Sequence, residues 1–426
     1  MKPVIVFAFL SLALYASPEI NPALKSDWVA EMRQAVLLDH SARYAEAQPI
    51  FDRISPILQD TSALPADDPL RAELANDLAA HDHQLARYPE AEALYQQAIG
   101  IWRRMPGAGA RRDLALTLGN LAALNRAMGR FSAAEPLYRE ELEILEQVTG
   151  KQSGNYVIAL NNFAELRRCQ GNLTSAEALA REAVAAAEHV PNATGEDLGA
   201  ASHTLAVVLK SERKFEEAGV LMQQVLDTWK KTLGPEHVRV AVALGNLADI
   251  RCEQGRCDEA ETLSRESLAI RRKVLGPEHP EIAINLNNLG FIQRRRKDFV
   301  AAEVSFQEAI RIAEVSLGRN HPELANLLVN LGTLEAERGR LPADENLLTR
   351  AAAINEKNFG PADARTLVTR VQLAQVFQAR GQFTAAERIY RSALPLLTES
   401  PAAADPRVQQ AIDNYQRLRS AKTKRG

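Results

Sequence analysis

Gln254-Gly255-Arg256-Cys257-Asp258-Glu259-Ala260-Glu261 is the stretch on which the fold is decided. A helix-breaking pair is followed by an anchor residue and then by Ala-Glu, the opening of a new helix. The pattern returns as Met128-Gly129-Arg130-Phe131 with Ala134-Glu135, as Gln170-Gly171-Asn172-Leu173 with Ala176-Glu177, and as Arg380-Gly381-Gln382-Phe383 with Ala386-Glu387. The turn position falls at Ala42, Ala86, Gly129, Gly171, Arg213, Gly255, Lys297, Gly339 and Gly381, at intervals of 44, 43 and then 42 residues six times. A fixed period of this size marks a repeat array, in which each unit hides its apolar face against its neighbours.

Working outward from the turn, an anchor stands two residues on, as at Tyr88, Phe131, Phe215 and Phe299. A small residue follows five past the turn (Ala134, Ala218, Ala302), and a large apolar one four later (Tyr138, Met222, Phe306). Small then large on one helix face predicts a close crossing beside a packing knob. Asp344 breaks the small rule, and Ala180 and Ser264 break the large one, so units four, six and eight are expected to be softer. In unit seven a first helix is predicted from about Glu281 to Arg296, with a core stripe of Ile282, Leu286, Leu289, Gly290 and Gln293. A second helix is predicted from about Asp298 to Ser316. Between units lies Leu275-Gly276-Pro277-Glu278-His279-Pro280, echoed by Leu233-Gly234-Pro235-Glu236-His237 and by Leu317-Gly318-Arg319-Asn320-His321-Pro322. Glycine suits a left-handed helix end and proline the first turn of the next helix.

Composition agrees. The chain has 426 residues, more than the ~250–300 that a single core supports, and only 5% aromatics, low for one large core. The net charge of −3 gives no electrostatic case for nucleic acid. Lys2 followed by the apolar run Val4–Tyr15 and the small Ala16 and Ser17 reads as a secretory signal peptide over residues 1–17, hence a secreted or periplasmic protein, with a cytoplasmic one as the alternative. That run is too short for a stable membrane span, which takes ~20 apolar residues. Cys169, Cys252 and Cys257 give no disulfide framework. Cys252 and Cys257 could pair after export, but Cys257 stands at an apolar repeat position and reads rather as a small buried hydrophobe.

The turn, alanine and large-residue pattern resembles the tetratricopeptide repeat. The 42-residue period, Leu286-Asn287-Asn288-Leu289 and the Leu-Gly-Pro-Glu-His-Pro link resemble its kinesin light chain subtype. The resemblance implies an all-α, right-handed superhelical solenoid of antiparallel helix pairs, with nine units over residues 18–398. Residues 399–426 supply a linker, a capping helix near Val408–Leu418 and a basic tail. It also implies that the first helix of each unit lines a concave groove. No heptad segment that would dock a motor chain precedes the repeats, which argues against a motor subunit.

Two ladders fall on the side of the first helices away from the core stripe. One is amide: Asn120, Asn162, Asn246, Asn288 and Asn330, with Thr204 and Gln372 in the gaps. Carboxamides both donate and accept, so they can grip a peptide backbone or fix the stacking of neighbouring repeats. The other is cationic: Arg126, Arg168, Lys210 and Arg294, which would favour an acidic segment or form ion pairs with Glu165, Asp249 or Glu253. The functional expectation is a non-catalytic scaffold that binds a protein or peptide, acidic in the narrower reading. A cargo adaptor like the kinesin light chain is the alternative, and an enzyme the remote one.

Chemistry is weakly signalled. His237, His279 and His321 are one period apart, which spreads them along an array instead of gathering them at an ion, so they are expected to serve turns and caps. His81 and His83, two apart on a helix, do not share a face. Gly107-Ala108-Gly109 lacks the third glycine of a phosphate loop. The sequence carries no cofactor motif.

Overall fold

A computed structural model describes residues 22–62, 64–191, 196–339, 341–400, 403 and 406–423. The proposed leader over residues 1–17 lies outside them, as does the side chain of Asp344. The described chain is all helix apart from its turns and links. It divides into two compact units, Met1–Arg256 and Cys257–Gly426.

The first unit holds α1 (Pro22–His40), α2 (Tyr44–Ile54), a short 3-10 turn, α3 (Pro69–Gln84), α4 (Tyr88–Trp102), α5 (Ala108–Ala127) and α6 (Phe131–Val148). It continues through α7 (Gly154–Cys169), α8 (Leu173–Ala187), α9 (Glu196–Ser211), α10 (Phe215–Leu233) and α11 (Val238–Glu253). The second unit holds α12 (Cys257–Leu275), α13 (Pro280–Arg295), α14 (Phe299–Ser316), α15 (Pro322–Glu337), α16 (Leu341–Phe359), α17 (Ala364–Ala379), α18 (Phe383–Thr398) and α19 (Pro406–Thr423). Each helix packs on its sequence neighbours within its unit, so both units are stacks of antiparallel hairpins.

All nine turn positions read from the sequence adopt left-handed φ, between 48° at Ala42 and 84° at Gly255. Four of them, Ala42, Ala86, Arg213 and Lys297, are not glycine. Each carries a Cβ where about 1 kcal/mol opposes it, so the turn geometry is imposed by the hairpin around it. The links are closed as expected. Gly234, Gly276, Gly318 and Gly360 end helices at φ 86–90°, and Pro280 and Pro322 open α13 and α15.

The core stripe of α13 is where the spacing put it. Ile282, Leu286, Leu289 and Gln293 are at most 2% exposed. Gly290 admits the ring of Phe306, since a Cβ there would lie 2.7 Å from it. At the large-residue position, Tyr138, Met222, Phe306 and Tyr390 are fully buried. Ser264 in the same position is buried with its hydroxyl unbonded, a local loss of about 1–3 kcal/mol relative to a filled, satisfied site. The last helix, α19, lays Val408, Ala411 and Leu418 against the α17–α18 hairpin, with Tyr390 and Tyr415 in ring contact at 5.5 Å.

Acid–base staples join successive hairpins. The glutamate after the small-residue position takes a cation from the following hairpin in six repeats: in the first unit, Glu92 from Arg130 at 2.9 Å, Glu135 from Arg167 at 2.7 Å and Glu177 from Lys214 at 2.8 Å. In the second unit the pairs are Glu261–Arg296, Glu303–Arg338 and Glu345–Arg380. Hydrogen bonds from Lys214 and then Arg181 hold the Glu177 carboxyl down at about 2. Gly219 stands where this glutamate would be, facing the side chains of Arg251 and Gln254.

Candidate functional site

Helical geometry separates two faces on each first helix. On α13, Asn288, Phe291 and Arg294 lie a third of a turn from the core stripe and are half-buried. Their equivalents carry both ladders.

The amide ladder proves to be of two kinds. Asn120 donates through Nδ2 to Oδ1 of Asn76 at 3.0 Å, and Asn330 donates to Oδ1 of Asn287 at 2.7 Å. Asn246 reaches Nε2 of His203 at 2.8 Å. Burial holds the His203 imidazole down at about 4, so the ring is neutral and one nitrogen can accept. All three bonds run one hairpin back, 43 or 44 residues, to a side chain and not to backbone. Such bonds fix the stacking of adjacent first helices.

The other rungs lack that partner. The residue 43 before Asn162 is Gly119, which has no side chain to offer, and the Asn162 side chain makes no hydrogen bond among the described residues. The residue 43 before Gln372 is Val329, and Oε1 of Gln372 is buried without a partner. Oδ1 of Asn288 and Nε2 of Gln375 are in the same condition. At the gap in the ladder Thr204 turns its hydroxyl to the Ala200 carbonyl, and Oδ1 of Asn161, 43 residues earlier, is left unbonded. A buried polar atom without a partner is uncommon and costs about 1–3 kcal/mol.

The cations of the second ladder are all paired. Arg126 lies 3.9 Å from Glu165, Arg168 lies 2.6 Å from the same carboxylate, and Lys210 lies 3.5 Å from Asp249. Arg294 lies 3.8 Å from Glu337, with its guanidinium 5.1 Å from the centroid of Phe291. The first three positions therefore form a compensated acid–base stripe.

Sequence reasoning ended the ladder at Asn120 and missed its acidic continuation. Asp77, 43 residues earlier, is the next rung, with Glu73 one turn before it on α3. Burial first, then neighbouring acids, lifts Glu73 to about 8; burial lifts Asp77 to about 7. Extending the spacing by the one extra residue seen between the early turns would have found them. Gln375, three residues beyond Gln372, was likewise missed.

The link histidines are helix caps. Nδ1 of His237, His279 and His321 accepts the backbone N–H two residues on, at 3.1–3.2 Å. His81 is buried, bonded to Asp39 at 2.8 Å and stacked on Phe51. Gly107 precedes α5 with no side-chain cap. Cys252 and Cys257 are disulfide-bonded, which corrects the expectation of a buried thiol at Cys257; Cys169 is a free thiol. Among the described residues no group of His, Cys, Asp and Glu is placed to hold a metal ion, and no helix is long and apolar enough to cross a membrane.

Comparison with known proteins places this geometry. Tetratricopeptide repeat models match residues 71–108, 113–189, 197–273, 239–314, 282–343 and 323–399. No curated protein matches significantly. Among solved structures, the chain is similar to BtubC (BKLC) from P. vanneervenii at 24% identity, covering 54% of this chain and 92% of that one, TM-score 0.45. It is similar to a Rap protein complexed with Competence and Sporulation Factor at 15% identity, covering 88% and 98%, TM-score 0.55. A third is a signal transduction ATPase with a tetratricopeptide repeat sensor from Pyrococcus horikoshii, at 13% identity, covering 78% and 50%, TM-score 0.50.

Proposed function

Because the chain belongs to the tetratricopeptide repeat family, we propose that it is a non-catalytic scaffold that binds an extended segment of a partner protein along its first helices. The observation that carries this reading is the set of buried, unbonded carboxamide atoms on that face: Oδ1 of Asn288, Oε1 of Gln372 and Nε2 of Gln375. An extended peptide offers backbone N–H and C=O groups in alternation. Acceptors on Asn288 and Gln372 and a donor on Gln375 complement such a chain without regard to its side chains. The structure of a Rap protein complexed with Competence and Sporulation Factor shows a ligand on a similar fold.

The test is capture of partners from native extract by the wild type and by a triple variant, Asn288→Ala, Gln372→Ala and Gln375→Ala. Loss of the captured proteins with unchanged helicity and melting supports the reading. Undiminished capture by a folded triple variant defeats it.

A narrower reading, an adaptor for acidic motifs like the kinesin light chain, draws on Arg294, whose pair with Glu337 is the most exposed of that ladder and which lies beside the Phe291 ring. Charge reversal of Arg294 to Glu should then abolish capture of acidic peptides and leave helicity intact, since Arg126 and Arg168 are already engaged by Glu165. We also propose export through residues 1–17, for which fractionation of the native cell into envelope and cytosol is the direct test.

A further inference from the structure

The α12–α13 link of the second unit sets a plan from which the α14–α15 link departs in charge. At the α12–α13 link the sequence is Gly276-Pro277-Glu278-His279, and Glu278 pairs with Arg311 of α14 at 2.9 Å. At the α14–α15 link it is Gly318-Arg319-Asn320-His321. The proline has become arginine and the glutamate asparagine. The residue 42 after Arg311 is Ala353, so the cation that would answer the glutamate has also gone. A second pair is inverted. Arg272 meets Glu308 at 2.7 Å, whereas 42 residues on Glu314 meets Arg350 at 2.6 Å.

These exchanges open a cleft of about 620 Å³ lined by Glu314, Arg319, Asn320, Arg350, Ala353, Ile354 and Lys357. Three cations face one acid there. Arg319 and Lys357 are exposed and make no ion pair or hydrogen bond among the described residues. Asn358 donates to the Asn320 backbone carbonyl at 2.8 Å and fixes the link against α16. Ala353 leaves the rim low, and the buried Ile354 gives an apolar floor.

We propose that this cleft is a second docking surface, separate from the first-helix face, for an acidic segment of a protein partner, with side-chain carboxylates seated on Arg319, Lys357 and Arg350. Glu314 already shows how a carboxylate sits on the Arg350 guanidinium. Charge-assisted bonds of this kind are roughly twice as strong as neutral ones. A surplus of cations on a small surface speeds encounter with an acidic partner and makes binding sensitive to salt.

The experiment is a fluorescence titration of the full chain with a labelled glutamate-rich peptide and with its glutamine counterpart, at low and at high salt. The expected result is tighter binding of the glutamate peptide than of its glutamine counterpart, with the difference between them weakened by salt. Binding should weaken about tenfold or more in Arg319→Glu with Lys357→Glu, the scale of one to two charge-assisted contacts. It should tighten in Glu314→Gln, which frees Arg350. Asn288→Ala should weaken both peptides alike if the first-helix reading holds and should leave the difference between them unchanged, which separates failure of this site from failure of that reading. Arg319 and Lys357 are exposed, so both reversed side chains leave folding intact, and a melting curve verifies it. Equal binding by the reversed variant overturns the proposal. So does binding of inorganic phosphate with no binding of the peptide.

Discussion

Asn330 and Gln372 occupy the same rung of successive hairpins in the second unit, yet they have different fates. Asn330 spends its amide on Asn287 of the preceding hairpin, while Gln372 meets Val329 there and keeps a buried oxygen unbonded. The same contrast separates Asn120, bonded to Asn76, from Asn162, which follows Gly119. What decides each case is not the rung but the residue just before the rung of the preceding hairpin. A stacking array and a binding surface are thus written with the same residue, and the neighbour selects between them.

The contrast is most extreme at Asp77, where a carboxyl replaces the amide and receives a bond from Asn76 at 3.2 Å. A carboxyl raised from 3.8 to about 7 binds its proton more tightly in the folded chain. Its contribution to stability is complete below about pH 4 and is lost as pH rises through about 7. Asp77→Asn turns this rung into an amide and should stabilise the first unit above pH 8. At roughly 1.4 kcal/mol per pKa unit, the gain is as much as about 4 kcal/mol, and the slope of stability with pH should flatten. Urea melts of wild type and variant at pH 5 and pH 9 measure it; equal differences at both pH values would refute the assignment.

At the engaged rungs, Asn330→Ala removes a donor and leaves the Asn287 oxygen unbonded, so it should cost about 1–2 kcal/mol. Asn162→Ala, with no side-chain hydrogen bond to lose, should cost about 0.5 kcal/mol, the low end for a single substitution. Thermal melts of the two variants should differ accordingly, and equal losses would erase the distinction between the two kinds of rung.

Giving Gln372 a partner sharpens the comparison from the other side. Val329→Asn should be tolerated better in the wild type than in Gln372→Ala, with a coupling of about 0.5–1.5 kcal/mol in a double-mutant cycle. A coupling of zero would mean that the missing partner is not what leaves Gln372 unbonded.

The smallest effect is expected on the second helices, where Gly219 is the empty counterpart of Glu177. Gly219→Glu gains about 0.5–1 kcal/mol in helix propensity. It also places a carboxylate toward Arg251, worth a few tenths of a kcal/mol for a partly exposed pair. A melt lowered by this change would show that the close approach at Gly219 matters more than the absent acid.

Much of this was legible in the sequence. The period located every left-handed turn, even where arginine, lysine or alanine fills it, because the anchors and small residues around the turn keep their spacing. The histidines were placed as caps because a one-period separation scatters ligands. The partner of each amide was not legible. It sits at an offset of 43, or 44 for Asn120, in a column that reads Asn76, Gly119, Asn161, His203, Asn287 and Val329, where asparagine is interrupted by residues of which only His203 serves in its place. Asp77 escaped for a simpler reason: the early spacing slips by one residue, and a carboxylate does not resemble an amide in a search for recurrence. Cys257 stands in a column that is otherwise apolar, as at Phe215 and Phe299, which concealed that it is disulfide-bonded.

The six staples made by the second-helix glutamates all point one way, whereas the pairs of the cationic ladder run in the opposite sense. In each of the six pairs the acid belongs to the earlier hairpin and the cation to the later one, so the joint works as a tongue and its groove. A hairpin cut from the middle would expose the staple acid with a ladder cation at one end, and the staple cation with a ladder acid at the other. Spare modules could therefore be spliced in anywhere along the row, provided they face the same direction, whereas a reversed module would set like charges against each other at both seams.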